Sequence, residues 1–460
     1  MGSSGEGWKS ESRYMGRMKD LLIQQEEQGW WFTRTHVCAE CFTDETIKEF
    51  VTGQLVANKC NYCGRSSNQP IAALLDSVLG LMADGLSIEW SDAVNELPYE
   101  SAEGGYQGDT YDTWEFFSDV IGFPTENVKL QSDIAEAFRE RLWCRKNYFS
   151  LSDQERLLIG WEEFCDEVKH NRRYFFFSPP PAPLAEPEGE PDFSNIRETP
   201  TATEILSEIG DLVQELGLVK TIPPGQTLAR ARSCDPSEPF TTAAELGTAP
   251  GEKAVSSNRM SPSGVPMFYG AQDLNTAIAE VAEGPGHFSV GFFETVRELR
   301  LLDLTSLPPT PSVFLADAFE QRIRITFLKR FARDLEKPIA RDGREHIEYV
   351  PTQVVTEYFR HIFRDESGRG VDGILYRSAK TANGVNCVLF CENENCCDAV
   401  RQGRPGERMW LRLKEARQVK LTGTLPYRLL FAIGGLVAGL ALGAGLIIWR
   451  AALPIAPSLL

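Results

Sequence analysis

Leu228-Ala229-Arg230-Ala231-Arg232 and Val265-Pro266-Met267-Phe268-Tyr269 open the most informative part of this chain, and Asn275-Thr276-Ala277-Ile278-Ala279-Glu280-Val281 follows them. It closes with Gly373-Ile374-Leu375-Tyr376-Arg377-Ser378 and Gly384-Val385-Asn386-Cys387-Val388-Leu389-Phe390. Arg230 and Arg232 stand at alternate positions of a strand-like run, so they share a face. Short apolar runs at Val265–Tyr269, Leu299–Leu304, Gly373–Tyr376 and Val385–Phe390 alternate with helical segments around Leu274–Ala282 and Val313–Phe331. The texture predicts an α+β domain.

Upstream, Ser178–Asp192 (SPPPAPLAEPEGEPD) is a linker by composition, stiffened by proline and solvated by acid. Before it the pattern is helical. Ile71, Leu74, Leu75, Val78, Leu79 and Met82 form an amphipathic stripe, as do Ile134, Ala137, Phe138 and Leu142. Ser152 and Glu155 form a capping-box start for Leu157, Leu158, Trp161 and Phe164. The expected organisation is a polar segment (1–35), a cysteine knuckle with a helical domain (36–177), the linker (178–200), the α+β domain (201–400), a basic stretch (401–428) and an apolar helix (429–449). With 460 residues, 42% hydrophobic, the chain is long enough for about two to three domains with real cores. A net charge of -18 argues against a general grip on nucleic-acid backbone, so no nucleic-acid partner is expected. Eleven cysteines at these spacings are no disulfide framework and suggest a reducing compartment. The first ten residues hold no apolar run, and no secretory signal is expected.

Cys38-x-x-Cys41 and Cys60-x-x-Cys63 are two short-spaced thiol pairs. Each can present both sulfurs to one ion from a tight turn, so Cys38, Cys41, Cys60 and Cys63 predict a closed, structural Zn2+ site. His36 reads as a bystander. Cys387, Cys391, Cys396 and Cys397 are irregularly spaced and read as ordinary thiols.

From about Ile222 to Cys397 the ordered blocks quoted above, with Ser257-Asn258-Arg259-Met260-Ser261-Pro262-Ser263-Gly264 between the first two, resemble the RES domain family. The turn departs from the family's usual Gly-Gly-Arg-Trp-Asn. The resemblance implies an ADP-ribosyltransferase-like fold and hydrolysis or phosphorolysis of NAD+, and members include bacterial toxins restrained by an antitoxin. The knuckle with its helices is similar to the HEPN-like module ahead of some RES domains. Some HEPN domains are ribonucleases with an arginine four to six places ahead of a histidine. His170 has none there, so this lobe reads as a sensing or docking module.

The resemblance assigns Arg230, Tyr269, Glu280 and Ser378 as catalytic; Arg232, as a helper or else a surface ion pair, Arg259 and Asn386 are candidates for binding substrate by their chemistry. The chemistry suits them. Nicotinamide leaves a ribose that becomes oxocarbenium-like, and a fixed carboxylate such as Glu280 stabilises that charge. Guanidinium forks at Arg230 and Arg232 suit a pyrophosphate, and Arg259 can hold a phosphate from the turn. Tyr269 can stack on nicotinamide, while Ser378 or Asn386 can hydrogen-bond ribose or the nicotinamide amide. A non-catalytic NAD- or ADP-ribose-binding module and a mono-ADP-ribosyltransferase remain alternatives.

Leu429–Trp449 (LLFAIGGLVAGLALGAGLIIW) is uncharged and as long as a bilayer core requires. Arg412, Lys414, Arg417, Lys420 and Arg428 precede it and Arg450 follows. The expectation is a single-pass C-terminal membrane anchor with the bulk of the protein cytoplasmic. Gly435, Gly439 and Gly443 lie on one face and suggest a homodimer contact. NAD+ and a neutralising antitoxin or a sensor protein are the expected partners.

Overall fold

The apolar runs in the second half of the chain pair into one mixed sheet. The structure is a computed structural model that describes residues 28–147, 150–174, 199–337, 343–398 and 409–422. It divides into two compact units, Met1–Arg156 with Pro309–Thr326, and Leu157–Pro308 with Phe327–Leu460. The sheet strands are β1 (Val219–Ile222), β2 (Thr227–Ser233), β3 (Phe268–Ala271), β4 (Gly286–Thr295), β5 (Leu299–Asp303), β6 (Gly373–Arg377), β7 (Val385–Leu389), β8 (Cys396–Cys397) and β9 (Leu411–Leu421). Their spatial order is β8-β9-β4-β2-β3-β7-β6-β5-β1. The β5·β6 and β8·β9 pairs are parallel and the others antiparallel. The α+β expectation therefore stands.

Helix α1 (Ala202–Glu215) starts at the Thr201/Glu204 capping box and buries Ile205, Leu206, Ile209, Leu212 and Val213. They share a core with Leu302, Ile374 and Val388 of the sheet and with Phe327 and Phe331. Phe327 and Phe331 belong to α3 (Phe319–Glu336), which follows α2 (Leu274–Val281) in the chain; α4 (Val350–Glu357) comes next. A second cluster gathers Leu228, Phe268, Phe293, Leu301, Leu389 and Leu413. Within the expected basic stretch (401–428), residues 411–421 form β9. Leu411 and Leu413 alternate inward while Arg412 pairs with Glu294 of β4.

The sheet has one weak seam. β2 pairs with β4 along its whole length, from Thr227↔Glu294 to Ser233↔Phe288. Toward β3 it keeps only Ala229↔Ala271. Beyond that pair the two strands part.

The first unit buries Ile47 and Val51 of one helix (Glu45–Thr52), Val78, Leu79 and Met82 of another (Leu75–Leu86), and Leu130 and Ile134 of a third (Val128–Ala137). Phe314, from the segment Pro309–Thr326, joins this core.

The expected transmembrane helix, and with it a membrane location, is not upheld. Among the described residues no helix is long and apolar enough to cross a membrane. The long helix α3 is crossed by Arg322, Lys329 and Arg333 and is amphipathic, as a helix packed on a sheet must be. Residues 429–449, including Gly435, Gly439 and Gly443, lie outside the described residues.

Candidate active site

Helix α2 begins at Asp273, whose side chain accepts hydrogen bonds from Thr276 N (2.9 Å) and Thr276 Oγ1 (2.6 Å). Thr276 Oγ1 also lies 3.1 Å from Thr381 Oγ1, in the turn between β6 and β7. That turn closes through Ser378 N to Gly384 O (2.8 Å). A side chain at Gly384 would put its Cβ 1.9 Å from Thr381 Oγ1 and 2.5 Å from Thr276 Oγ1, so only glycine allows helix and turn to meet.

The contact brings the last turn of α2 to the ends of β6 and β7. Ser378 Oγ donates to Glu280 Oε1 at 2.6 Å and Asn386 Nδ2 donates to the same oxygen at 2.7 Å. Ser378 Oγ accepts from the backbone N–H of Lys380 (3.1 Å) and Thr381 (3.2 Å), which leaves its single proton for Glu280. Lys380 Nζ donates to the Glu280 carbonyl (3.0 Å) at the C-terminal end of the helix, where a cation is favoured. Among the described residues no donor is bonded to Glu280 Oε2. Asn386 must turn its amide nitrogen to the carboxylate, so its Oδ1 faces away; that oxygen is buried and unpartnered.

Arg230 and Arg232 occupy one face of β2 beside the seam. Arg230 Nη1 donates across it to the Tyr269 carbonyl (2.6 Å), where a ladder bond would otherwise lie, and its guanidinium rests on the Phe268 ring. Arg232 Nη2 donates to the Gly247 carbonyl (2.9 Å). The Nε of each is buried without a partner, and among the described residues neither guanidinium has a carboxylate partner. Burial, and then the neighbouring charge of Arg232, push Arg230 down to about 10, and burial also lowers Arg232. Two adjacent cations without a carboxylate partner form a binding site for an anion.

Tyr269 is clamped. Its hydroxyl meets Ser261 Oγ at 2.9 Å and Met260 N at 3.3 Å, and burial pushes it up to about 12. It offers a fixed ring face rather than a proton. The turn that holds it is pinned to α4. Gln353 Nε2 donates to Ser257 Oγ (2.9 Å) and Asn258 O (2.8 Å), and Thr352 Oγ1 donates to Arg259 O. Arg259 spends Nη1 on the carbonyls of Leu335 (2.5 Å) and Lys337 (2.8 Å), at the C-terminal end of α3.

Glu280, Arg230, Arg232, Tyr269, Arg259 and Asn386 all line one cavity of about 1100 Å³, whose wall includes residues of both β2 and β3. Ser378 does not line it and reaches the site through Glu280. Sequence reasoning missed Ser261, Gln353, Lys380, His346 and Tyr349; all but Gln353 line the cavity. Ser261 stands in the quoted turn without a role read for it, and only the tertiary fold brings the others to the site.

In the other unit, Cys38, Cys41, Cys60 and Cys63 place their sulfurs within 4.8 Å of one another. The Cys38–Cys41, Cys38–Cys63 and Cys41–Cys60 separations are 3.7, 3.5 and 3.6 Å. A tetrahedron of thiolates around zinc has edges of about 3.8 Å. Cys60 Sγ also accepts backbone N–H groups from Cys38 (3.4 Å) and Tyr62 (3.5 Å), as a ligating thiolate does. The four can hold a metal ion. Among the described residues no second such group occurs.

Two family models match the chain. Residues 227–412 match the RES domain. The chain carries a RES domain. Residues 54–182 match HEPN/RES N-terminal domain 1, which takes in Cys60 and Cys63 but begins after Cys38 and Cys41. Comparison with curated proteins and with solved structures found no match. The RES domain match runs from the first residue of β2 into β9 and encloses all the cavity residues from Arg230 to Asn386. RES domains act on NAD, so the family implies NAD+ as substrate.

Proposed function

We propose that this RES domain cleaves the nicotinamide–ribose bond of NAD+, as a glycohydrolase or phosphorylase. One observation carries the reading: a carboxylate held by two donors and an unpaired double guanidinium line the same cavity. An anionic dinucleotide offers a pyrophosphate to Arg230 and Arg232. That spares the buried guanidiniums the cost of standing uncompensated, which for a buried charge reaches several kcal/mol. The nicotinamide ring lies against Tyr269, and the ribose comes to Glu280. As the C–N bond breaks, positive charge grows on the ribose and the free oxygen of Glu280 stabilises it. Ser378 and Asn386 hold the carboxylate, so little reorganisation is required. The unpartnered Asn386 Oδ1 accepts a hydrogen bond from the ribose or the nicotinamide amide.

In the other unit, the four cysteines hold a structural Zn2+, with no part in the reaction. The N-terminal lobe acts as a sensing or docking module, and a neutralising protein partner restrains NAD+ loss.

The test is to incubate the full chain with NAD+, with and without inorganic phosphate, and identify the products. Free ADP-ribose indicates hydrolysis, and phosphorylated ADP-ribose phosphorolysis. ADP-ribose on protein would replace the proposal by transfer, and tight NAD+ binding without nicotinamide release would replace it by a binding module.

A further inference from the structure

Behind the two arginines lies a thiol pair that the proposed reaction does not use. Cys391 follows β7 and Cys396 opens β8, with the short turn Asn393–Asn395 between them. Both are buried, at 1% and 6% exposure, and both are free thiols. Thr248 Oγ1 meets both sulfurs, Cys391 at 3.6 Å and Cys396 at 3.7 Å. Two thiols that meet the same hydroxyl and are joined by a short loop can be drawn together into a bond.

The same turn grips the segment that positions Arg232. Asn393 Nδ2 donates to the carbonyls of Ala244 (3.0 Å) and Thr248 (2.5 Å), and Asp398 Oδ1 accepts from Ala243 N (2.6 Å). Cys396 lies directly on Gly247: a Cβ at Gly247 would come within 2.7 Å of Cys396 Cβ and 2.9 Å of its sulfur. Gly247 supplies the carbonyl that holds Arg232. A displacement of Cys396 is therefore felt at the cationic end of the cavity.

We propose that Cys391 and Cys396 are a redox modification site, oxidised to a disulfide by a hydroperoxide, and that this bond weakens the anion-binding end of the RES cavity. The regulatory part rests on the reading of Arg230 and Arg232 as the pyrophosphate site. The Cys396 thiolate attacks the peroxide oxygen, forming a sulfenic acid and releasing water or an alcohol. Cys391 then attacks the sulfenic sulfur; the S–S bond forms, and the hydroxyl leaves as water with the Cys391 proton. Two thiols lose two electrons and one peroxide gains them. The roles follow from the surroundings. Its hydrogen bond from Cys391, aided by Thr248 and by the charge of Arg230, brings Cys396 down to about 7, while burial raises Cys391. Closing the pair to the roughly 2.05 Å of a disulfide draws the sulfurs off Thr248 and shifts Cys396 on Gly247.

The experiment treats the full chain with hydrogen peroxide, blocks residual thiols by alkylation and maps the peptides, which separates this pair from the knuckle cysteines. ADP-ribose binding, which needs no turnover, is measured by calorimetry on reduced and oxidised protein. A Cys391–Cys396 cross-link is expected. So is an ADP-ribose Kd weakened by roughly tenfold, the loss expected for one charge-assisted contact, and restored by dithiothreitol. Cys391→Ser should bind like the reduced protein and ignore peroxide, and Cys396→Ser provides the same check independently. Thiols still alkylated separately after peroxide would overturn the modification site. A cross-link with unchanged affinity would overturn the regulation alone. Reduced protein that binds no ADP-ribose would overturn the reading of the cavity, and the regulation with it.

Discussion

At Glu280, two donors converge on one oxygen of a carboxylate, and the strength of that grip sets what each neighbour contributes. Asn386→Ala removes a donor and leaves Ser378 alone in place. Steady-state kinetics should show kcat reduced by about one to two orders of magnitude, the usual scale for a group that preorganises a transition-state charge. Arg232→Ala should act differently. It removes an anion contact made in the ground state as well, so the KM for NAD+ should rise by roughly tenfold with a smaller change in kcat. Tyr269→Phe loses only a hydroxyl already tied to Ser261 and should retain most activity, whereas removal of the ring should not be tolerated. The shared face of Arg230 and Arg232 was legible in the sequence, because a period of two sets it whatever surrounds them. The grip of Asn386 was not. It depends on strand register, which sets Asn386 opposite Tyr376 on one side and Ala271 on the other. A polar residue inside the apolar run of β7 was the one available signal.

Helix α2 is short, eight residues, and depends on its first turn. Asp273 caps it, and Thr276 joins it to the Ser378–Gly384 turn. Asp273→Ala should cost about 1 kcal/mol of stability, seen as a lower thermal midpoint. Because the capped helix aims Glu280, kcat should fall as well, though no substrate contact is lost. The alternation of Leu411 and Leu413 with charged neighbours was a legible strand signal, but a basic composition masked it. β9 pairs with β4, more than a hundred residues away in sequence, and such a pairing leaves no local trace. The seam between β2 and β3 was invisible for the same reason. It exists because Arg230 takes the Tyr269 carbonyl that a neighbouring strand would use.

For the whole molecule, the two units place different demands on chemistry. The first packs a modest core around four cysteines whose separations suit zinc. Metal analysis of the full chain should find one zinc per chain. Strong chelation should remove or lower a thermal transition assigned to the N-terminal unit, since binding energy at such sites is folding energy. Intact melting after complete metal removal would contradict that assignment. The cysteine spacing and the α+β texture carried over from sequence to structure. The expected membrane helix did not, because hydropathy over residues 429–449 says nothing about the described helices, all too short or too charged to span a bilayer.

The central claim is that Glu280 drives the loss of nicotinamide. It is tested by nicotinamide release from NAD+, with wild type and Glu280→Gln compared at equal NAD+ occupancy. The wild type should release nicotinamide, and the amide, isosteric but uncharged, should bind NAD+, melt as the wild type does and release nicotinamide about a thousandfold more slowly. A Glu280→Gln protein that releases nicotinamide at the wild-type rate would contradict it.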